Sequence, residues 1–393
     1  MRTQHILRGV LTPAVIIRLV LGWGAFIATL VAQPFLAAHL PTPALIAVLG
    51  AIVAVIIVCA FGVVVEAEHL AHRLGDPYGT LILTLSIVLI EVILISAVML
   101  GPGEHATIAR DSVMAVSMII LNLVVGASLL IGGLRHRDVR ANSTGVSTYL
   151  SLLVVLGTVA FALPGLIGEG GAYTAGQEIP IIILTVILYV AFLTRQMGAQ
   201  RDDFKEVVSV GVTGAGVAPQ GDDAVARQVK PERASVLAII SEHRSEVIAR
   251  ALVLVMTVIP IVLLSHDMAG LLDDGLDRAG APIALSGILI AMIVFLPETL
   301  TAIRAAIGGE IQRVSNLCHG ALVSTVGLTI PAVLVIGLFT GQTVILAENP
   351  TNLVLLGVTL LLTLTTFSGK RVTALHGAAH LMVFVLYGMT VFA

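Results

Sequence analysis

Charge is scarce in this sequence. Only 11% of its 393 residues are Asp, Glu, Lys or Arg, while 57% are hydrophobic and the mean hydropathy is +1.04. So few charges cannot cover a water-soluble fold. Basic residues are not in excess either, and a net charge of −3 gives no footprint for a nucleic-acid partner. The two cysteines, Cys59 and Cys318, each lie in or beside an apolar segment and read as free packing thiols rather than a disulfide or metal pair. Enzyme motifs are missing too. There is no HExxH, no GxSxG and no Asp pair within the apolar runs, which argues against an intramembrane enzyme.

What the sequence has in quantity is long apolar runs. Eleven are expected to span a bilayer, at about 14–36, 44–66, 79–100, 112–134, 148–167, 178–197, 247–265, 282–305, 315–339, 351–367 and 372–391. The 38 glycines suit close helix packing in lipid. The basic start MRTQHILRG shows no small-residue cleavage site before the apolar run continues, so the first span is expected to be retained. GPGEHATIARD, GEGGAYTAGQ and SHDMAGLLDDGLDRAGA read as polar connections. With the N-terminus cytoplasmic, only Arg110 and Arg278 of the 21 Lys and Arg fall outside. That asymmetry fixes the orientation and puts the C-terminus outside.

The expected organisation is all-α and polytopic: an N-terminal helix and connector (1–43), a first five-helix repeat (44–197), a cytoplasmic linker (198–246) and a second five-helix repeat (247–393). Five is odd, so the second set enters the membrane from the opposite side, as an inverted repeat does, with substrate sites near the midplane. The linker reads as a solvated tether or, through its acidic residues, a cation sensor.

Each half carries one acid at membrane depth: Glu91 within 79–100 and Glu298 within 282–305. A carboxylate there costs at least ~2.5–3.5 kcal/mol, so it needs protein or water around it and a task. Pro297 precedes Glu298 and frees the backbone carbonyl of Ile293, an oxygen ligand for a hard cation. Thr84 shares the helix face of Glu91, as a ligand or bonded back to its own helix. Asn122 and Ser324 come from the helix after each acid and either close the site from the side or serve as interhelical packing. Glu68, His69 and His72 form a candidate proton path or an interfacial cluster. His319 is expected at the interface; His376 and His380 are four apart, a spacing a metal can use. Two buried carboxylates hold protons or a cation but not two bare charges, so the two compete, and an alternating-access protein that moves only neutralised sites is an exchanger.

With those residues in view the chain resembles the cation/Ca²⁺ exchanger superfamily, its Ca²⁺/H⁺ antiporter branch and the ChaA-type members. The resemblance is carried by AEHLAHRLGDPYGTLILTLSIVLIEVILIS (67–96), MIILNLVVGASLLIGGLRH (118–136), GAPIALSGILIAMIVFLPETLTAIRAAIGGEIQRVSNL (280–317), GLTIP (327–331) and HGAAHL (376–381). It implies that Glu91 and Glu298 are the essential acids of paired repeats, with Asn122 and Ser324 as their polar companions. Relatives carry a polar residue where this chain has Val88, a small residue at His319 and an amide at His376. The resemblance implies a bacterial inner-membrane antiporter for Ca²⁺, or Na⁺ and K⁺, against H⁺. Its partners are small cations, protons and the lipid bilayer, with no cofactor and no nucleic acid.

Overall fold

The structure is a computed structural model. It describes residues 9–36, 40–74, 85, 88, 91–92, 95–96, 99, 106–136, 139–205, 244–282, 284–369 and 371–392, with the side chains of 71–74, 284, 286, 294 and 297 left aside. The chain is all-α. In order the helices are α1 (Pro13–Leu36), α2 (Thr42–Leu74), α3 (Ile108–Met118) and, after a π-helical turn (Ile119–Val124), α4 (Val125–Arg135). Next come α5 (Ser143–Gly157), a second π turn (Thr158–Ala162), α6 (Leu163–Ile167) and α7 (Ala175–Met197). The second half holds α8 (Arg244–Arg278), α9 (Ala284–Val294), α10 (Leu296–Gly308), α11 (Ile311–Thr340), α12 (Pro350–Ser368) and α13 (Ala374–Val391).

Local chemistry sets the helix ends. Asn142 accepts from the amides of Thr144 and Gly145 at 3.0 and 3.3 Å and starts α5. Thr174 with Gln177, and Thr373 with His376, close capping boxes at α7 and α13. Gly309 (φ 82°) ends α10 and Gly341 (φ 71°) ends α11, in a backbone region that side chains with a Cβ rarely adopt.

Among the described residues, nine helical stretches are long and apolar enough to cross a membrane, or ten when α9 and α10, bent by 56°, are counted as one broken span. The segment 79–100 lies mostly outside the described residues, although Leu85, Val88, Glu91, Val92, Ile95, Ser96 and Met99 are helical. The protein is therefore a multi-pass membrane protein. Apolar side chains such as Ile17, Val31, Leu184 and Phe339 are exposed on outer faces, as lipid contact requires.

Two connections differ from expectation. The polar stretch after 265 is not a turn: α8 continues through it to Arg278, with Met268, Leu271 and Leu272 buried on one face and Arg278 paired with Asp274 one turn earlier at 2.6 Å. The start of the linker is packed, with Phe204 buried against Tyr149 and Phe192. Residues 206–243 lie outside the described set.

The helices gather round separate cores. The larger joins α3, α4, α5, α7, α10, α11, α12 and α13, with α9 through Ile288 and Ala291 and the end of α2 through Val64 and Ala67. A smaller one joins α2 to α8 through Ile52, Ile56, Cys59, Val258, Ile261 and Leu264. α1 leans on this second unit at Gly22, where a Cβ would stand 3.1 Å from both Cys59 Sγ and Pro260 Cγ. The α3–π turn–α4 run and α11 are the most enclosed spans, with 78% and 67% of their most apolar windows buried. Those two runs form the middle of the larger core, and both follow an acid-bearing segment.

Candidate functional site

Glu91 and Glu298 are both buried, at 4% and 7% exposure. They come from segments far apart in sequence, yet lie close enough for their charges to act on one another. Each keeps a buried carboxylate oxygen, Oε1, without a hydrogen-bond partner. Among the described residues neither acid belongs to an ion pair; Arg110, Arg250, Arg278 and Arg313 pair elsewhere, with Asp111, Glu66, Glu246, Asp274 and Glu310. Two buried carboxyls with free oxygens and no fixed counter-charge can be neutralised by protons or by a cation.

The break at Pro297 explains the placement of Glu298. Proline has no N–H to give the Ile293 carbonyl, and the span splits into α9 and α10 around Phe295. Glu298 thus falls in the first turn of α10, where the helix dipole favours a negative charge. Beside it lies a small cavity lined by Ile120, Val124, Phe295, Thr299, Leu317 and Cys318 as well as Glu298, with about 10 Å³ free to the centre of a water-sized sphere. That is room for one small species.

The contact on Glu91 is one that sequence reasoning missed. Thr325 Oγ1 donates to Glu91 Oε2 at 2.6 Å. Ser324, the neighbouring candidate, faces α7 instead: it accepts from Tyr189 Oη at 3.1 Å and donates to the Gly320 carbonyl at 2.9 Å. One position along a helix is about 100° of rotation, so adjacent polar residues cannot share a target. Val88, one turn before Glu91, is fully buried and adds an apolar wall.

Asn122 sits in the middle of the first π turn and is fully buried. Its Nδ2 donates to Thr359 Oγ1 on α12 at 2.9 Å, and its Oδ1 meets His380 Nδ1 on α13 at 3.3 Å. Ile120 and Val124, on either side of it, face the Glu298 cavity. The amide is therefore on the other face of the turn. Thr84 and the side chain of His72 lie outside the described residues. Glu68 is half-buried and His69 exposed. The buried acid at that end of α2 is Glu66, which pairs with Arg250 of α8 at 2.8 Å; Arg250 also meets Glu246 at 3.2 Å. A hydrophobic run ending VVVEAEH marks both acids and cannot say which faces the neighbour.

His319 is enclosed by protein. It is fully buried, bonded at Nδ1 to Ser315 Oγ at 2.8 Å and wedged between Phe367 and Tyr149. His376 completes the cap of α13 while His380 meets Asn122, and no cluster of three or more metal-binding side chains occurs among the described residues. Both cysteines are free and buried, and Cys318 borders the cavity at Glu298.

The chain has relatives in sequence and in fold. The sodium/calcium exchanger protein family model matches residues 44–198 and 249–393. The chain belongs to this family. The sodium-potassium/proton antiporter ChaA of Escherichia coli (strain K12) is 33% identical over 334 residues, 85% of this chain and 86% of that protein. The putative ionic transporter y4hA of Sinorhizobium fredii (strain NBRC 101917 / NGR234) is 34% identical over 330 residues, 83% of each. The native YfkE structure superposes with a TM-score of 0.65 at 16% identity, covering 95% of this chain and 99% of that one. The H⁺/Ca²⁺ exchanger CAX gives 0.65 at 13% identity, over 96% and 89%. The family places the chain among cation exchangers, as the motifs around Glu91 and Glu298 implied.

Proposed function

We propose that this protein is a secondary antiporter of a bacterial cytoplasmic membrane, expelling a metal cation in exchange for protons at Glu91 and Glu298. The observation that carries the reading is the pair itself: two buried carboxyls from separate segments, within charge range, each with an unpartnered oxygen. Empty, the pair takes up protons; loaded, it gives them up to the cation. Thr325 and the Ile293 carbonyl supply further oxygens, and Ser324 and Asn122 support the helices that carry them. The chain is oriented with its N-terminus cytoplasmic, and residues 44–197 and 247–393 act as inverted repeats about the acids. Alternating access is the relative movement of the α1–α2–α8 unit and the larger core, which meet along α2. Protons enter past Glu68, His69 and His72.

Calcium is the first choice of cation, because paired carboxylates match its charge and its preference for oxygen. A second reading, Na⁺ or K⁺, is favoured by the identity with ChaA over most of the chain. The driving forces suffice: ~2.3 kcal/mol for each charge per 100 mV and ~1.4 kcal/mol per pH unit. Everted vesicles loaded with a pH-sensitive dye test both readings. Addition of Ca²⁺ is expected to release protons in wild type and not in Glu91→Gln or Glu298→Gln. A response to Na⁺ or K⁺ without one to Ca²⁺ reverses the order of cations, and full activity in both variants overturns the site.

A further inference from the structure

The π turn between α3 and α4 has two functional faces. On one, Ile120 and Val124 wall the cavity at Glu298. On the other, Asn122 is held by Thr359 and His380. We propose that His380 is a specificity-determining positioning residue: by anchoring Asn122 it fixes the π turn, and so sets the width of the cavity in which the cation meets Glu298. This rests on the antiport reading above.

The hydrogen bonds run in one direction. The Thr359 hydroxyl donates to the Leu355 carbonyl at 2.8 Å, so it receives from the Asn122 amide rather than giving to it. The NH₂ of Asn122 is thereby assigned to Thr359, and its oxygen is left facing His380. The matching tautomer presents Nδ1–H to that oxygen, beside the Leu121 backbone that the ring also meets, and leaves Nε2 to accept from Thr366 Oγ1 at 3.4 Å. The side chains of Asn122, Thr359, Thr366 and His380 are all fully buried, so an unmade bond among them costs its full desolvation.

Two features make the anchor matter. A π turn is a rare and easily altered element, found mostly where function needs a helix out of regular register. Here Val125 N–H reaches back to the carbonyl of Ile120, five residues earlier, as well as to that of Asn122. The support for it is also rigid. A Cβ on Gly377 would lie 2.3 Å from the Leu130 amide and 2.5 Å from the Gly126 carbonyl, so α13 and α4 touch backbone to backbone. One turn further along α13, His380 meets the π turn at Asn122. Displacing Asn122 therefore moves Ile120 and Val124, because all three belong to the same turn.

The test compares KM values for cations of different size in reconstituted vesicles, Ba²⁺ against Ca²⁺, or K⁺ against Na⁺ if those are the ions wild type moves. His380→Leu is expected to reduce the ratio between larger and smaller ion about three- to tenfold, with kcat changed less than the ratio. His380→Asn, which keeps a donor at the Nδ1 position, is expected to retain the wild-type ratio. Asn122→Ala should give the same contraction, and adding His380→Leu to it should change nothing more. A parallel rise of all KM values, or additive effects in the double variant, overturns the proposal in favour of a merely structural histidine. If His380→Leu does not fold, Thr359→Val removes the other end of the anchor and gives the same readout. Absence of any cation-driven proton flux in wild type sinks the antiport reading instead, and the anchor is then read from ¹⁵N shifts of histidine in the bilayer. These are expected to show His380 as the Nδ1–H tautomer, and an Nε2–H tautomer overturns it.

Discussion

Thr325 gives its hydroxyl hydrogen to Glu91 across 2.6 Å, so the acid of the first half is held by a helix of the second. A buried hydrogen bond to an ionised group is worth ~1.5–3 kcal/mol. Thr325→Val is therefore expected to raise the KM for the transported cation by about ten- to a hundredfold. Thr325→Ser should restore most of it. Cation-concentration series of proton release in everted vesicles measure both, and an unchanged KM in the valine variant removes Thr325 from the site.

The Glu66–Arg250 pair is nearly closed to solvent, with side-chain exposures of 5% and 12%. Removing one partner leaves a charge without its counter-charge, which typically costs ~3–5 kcal/mol. Arg250→Ala is expected to lower the thermal midpoint in detergent clearly. The combined Glu66→Gln and Arg250→Met should recover much of the loss, because no buried charge is stranded between those two positions. Equal damage from the single and double variants argues that the arginine serves Glu246 instead.

Gly377 and Gly388 lie on the same helix in different surroundings. A Cβ at Gly377 meets backbone at 2.3 Å, while one at Gly388 meets nothing within 4 Å. Gly377→Ala is expected to destabilise by ~1–3 kcal/mol, the usual cost of overpacking. Gly388→Ala should be neutral or slightly stabilising, since alanine favours the helix by ~1 kcal/mol. Thermal unfolding of the two proteins side by side gives the comparison.

Pro297 keeps α9 and α10 apart. Pro297→Ala gives the Ile293 carbonyl a helical donor and removes a helix-breaking cost of ~3 kcal/mol. The variant is expected to fold at least as stably as wild type and yet to transport at least about tenfold more slowly, since Glu298 loses its place at a helix start. Normal turnover in a stable Pro297→Ala protein shows that the break is dispensable.

Arg110 and Arg278 are the two cations that the orientation argument assigns to the outer side, and each is tied to neighbours. Arg110 pairs with Asp111 at 2.8 Å and donates to the Ala347 carbonyl at 3.0 Å. Arg278 pairs with Asp274 and donates to the Leu40 carbonyl, both at 2.6 Å. Counting charges along the chain finds these exceptions; only folded neighbours reveal how each is neutralised.

The primary structure alone determined the membrane architecture, because lipid imposes one rule on every span: a run of about twenty apolar residues with its backbone bonds satisfied within the helix. For the same reason it exposed Glu91 and Glu298, since a carboxyl in such a run is too costly to keep without a task. Tertiary packing decided which polar groups meet them. Thr325 rather than Ser324 reaches Glu91, Glu66 rather than Glu68 is the buried acid, and His319 lies deep in the core. These choices turn on rotations of about 100° per residue and on a π turn that shifts register, and no pattern of residue types along one chain encodes where the neighbouring helix stands.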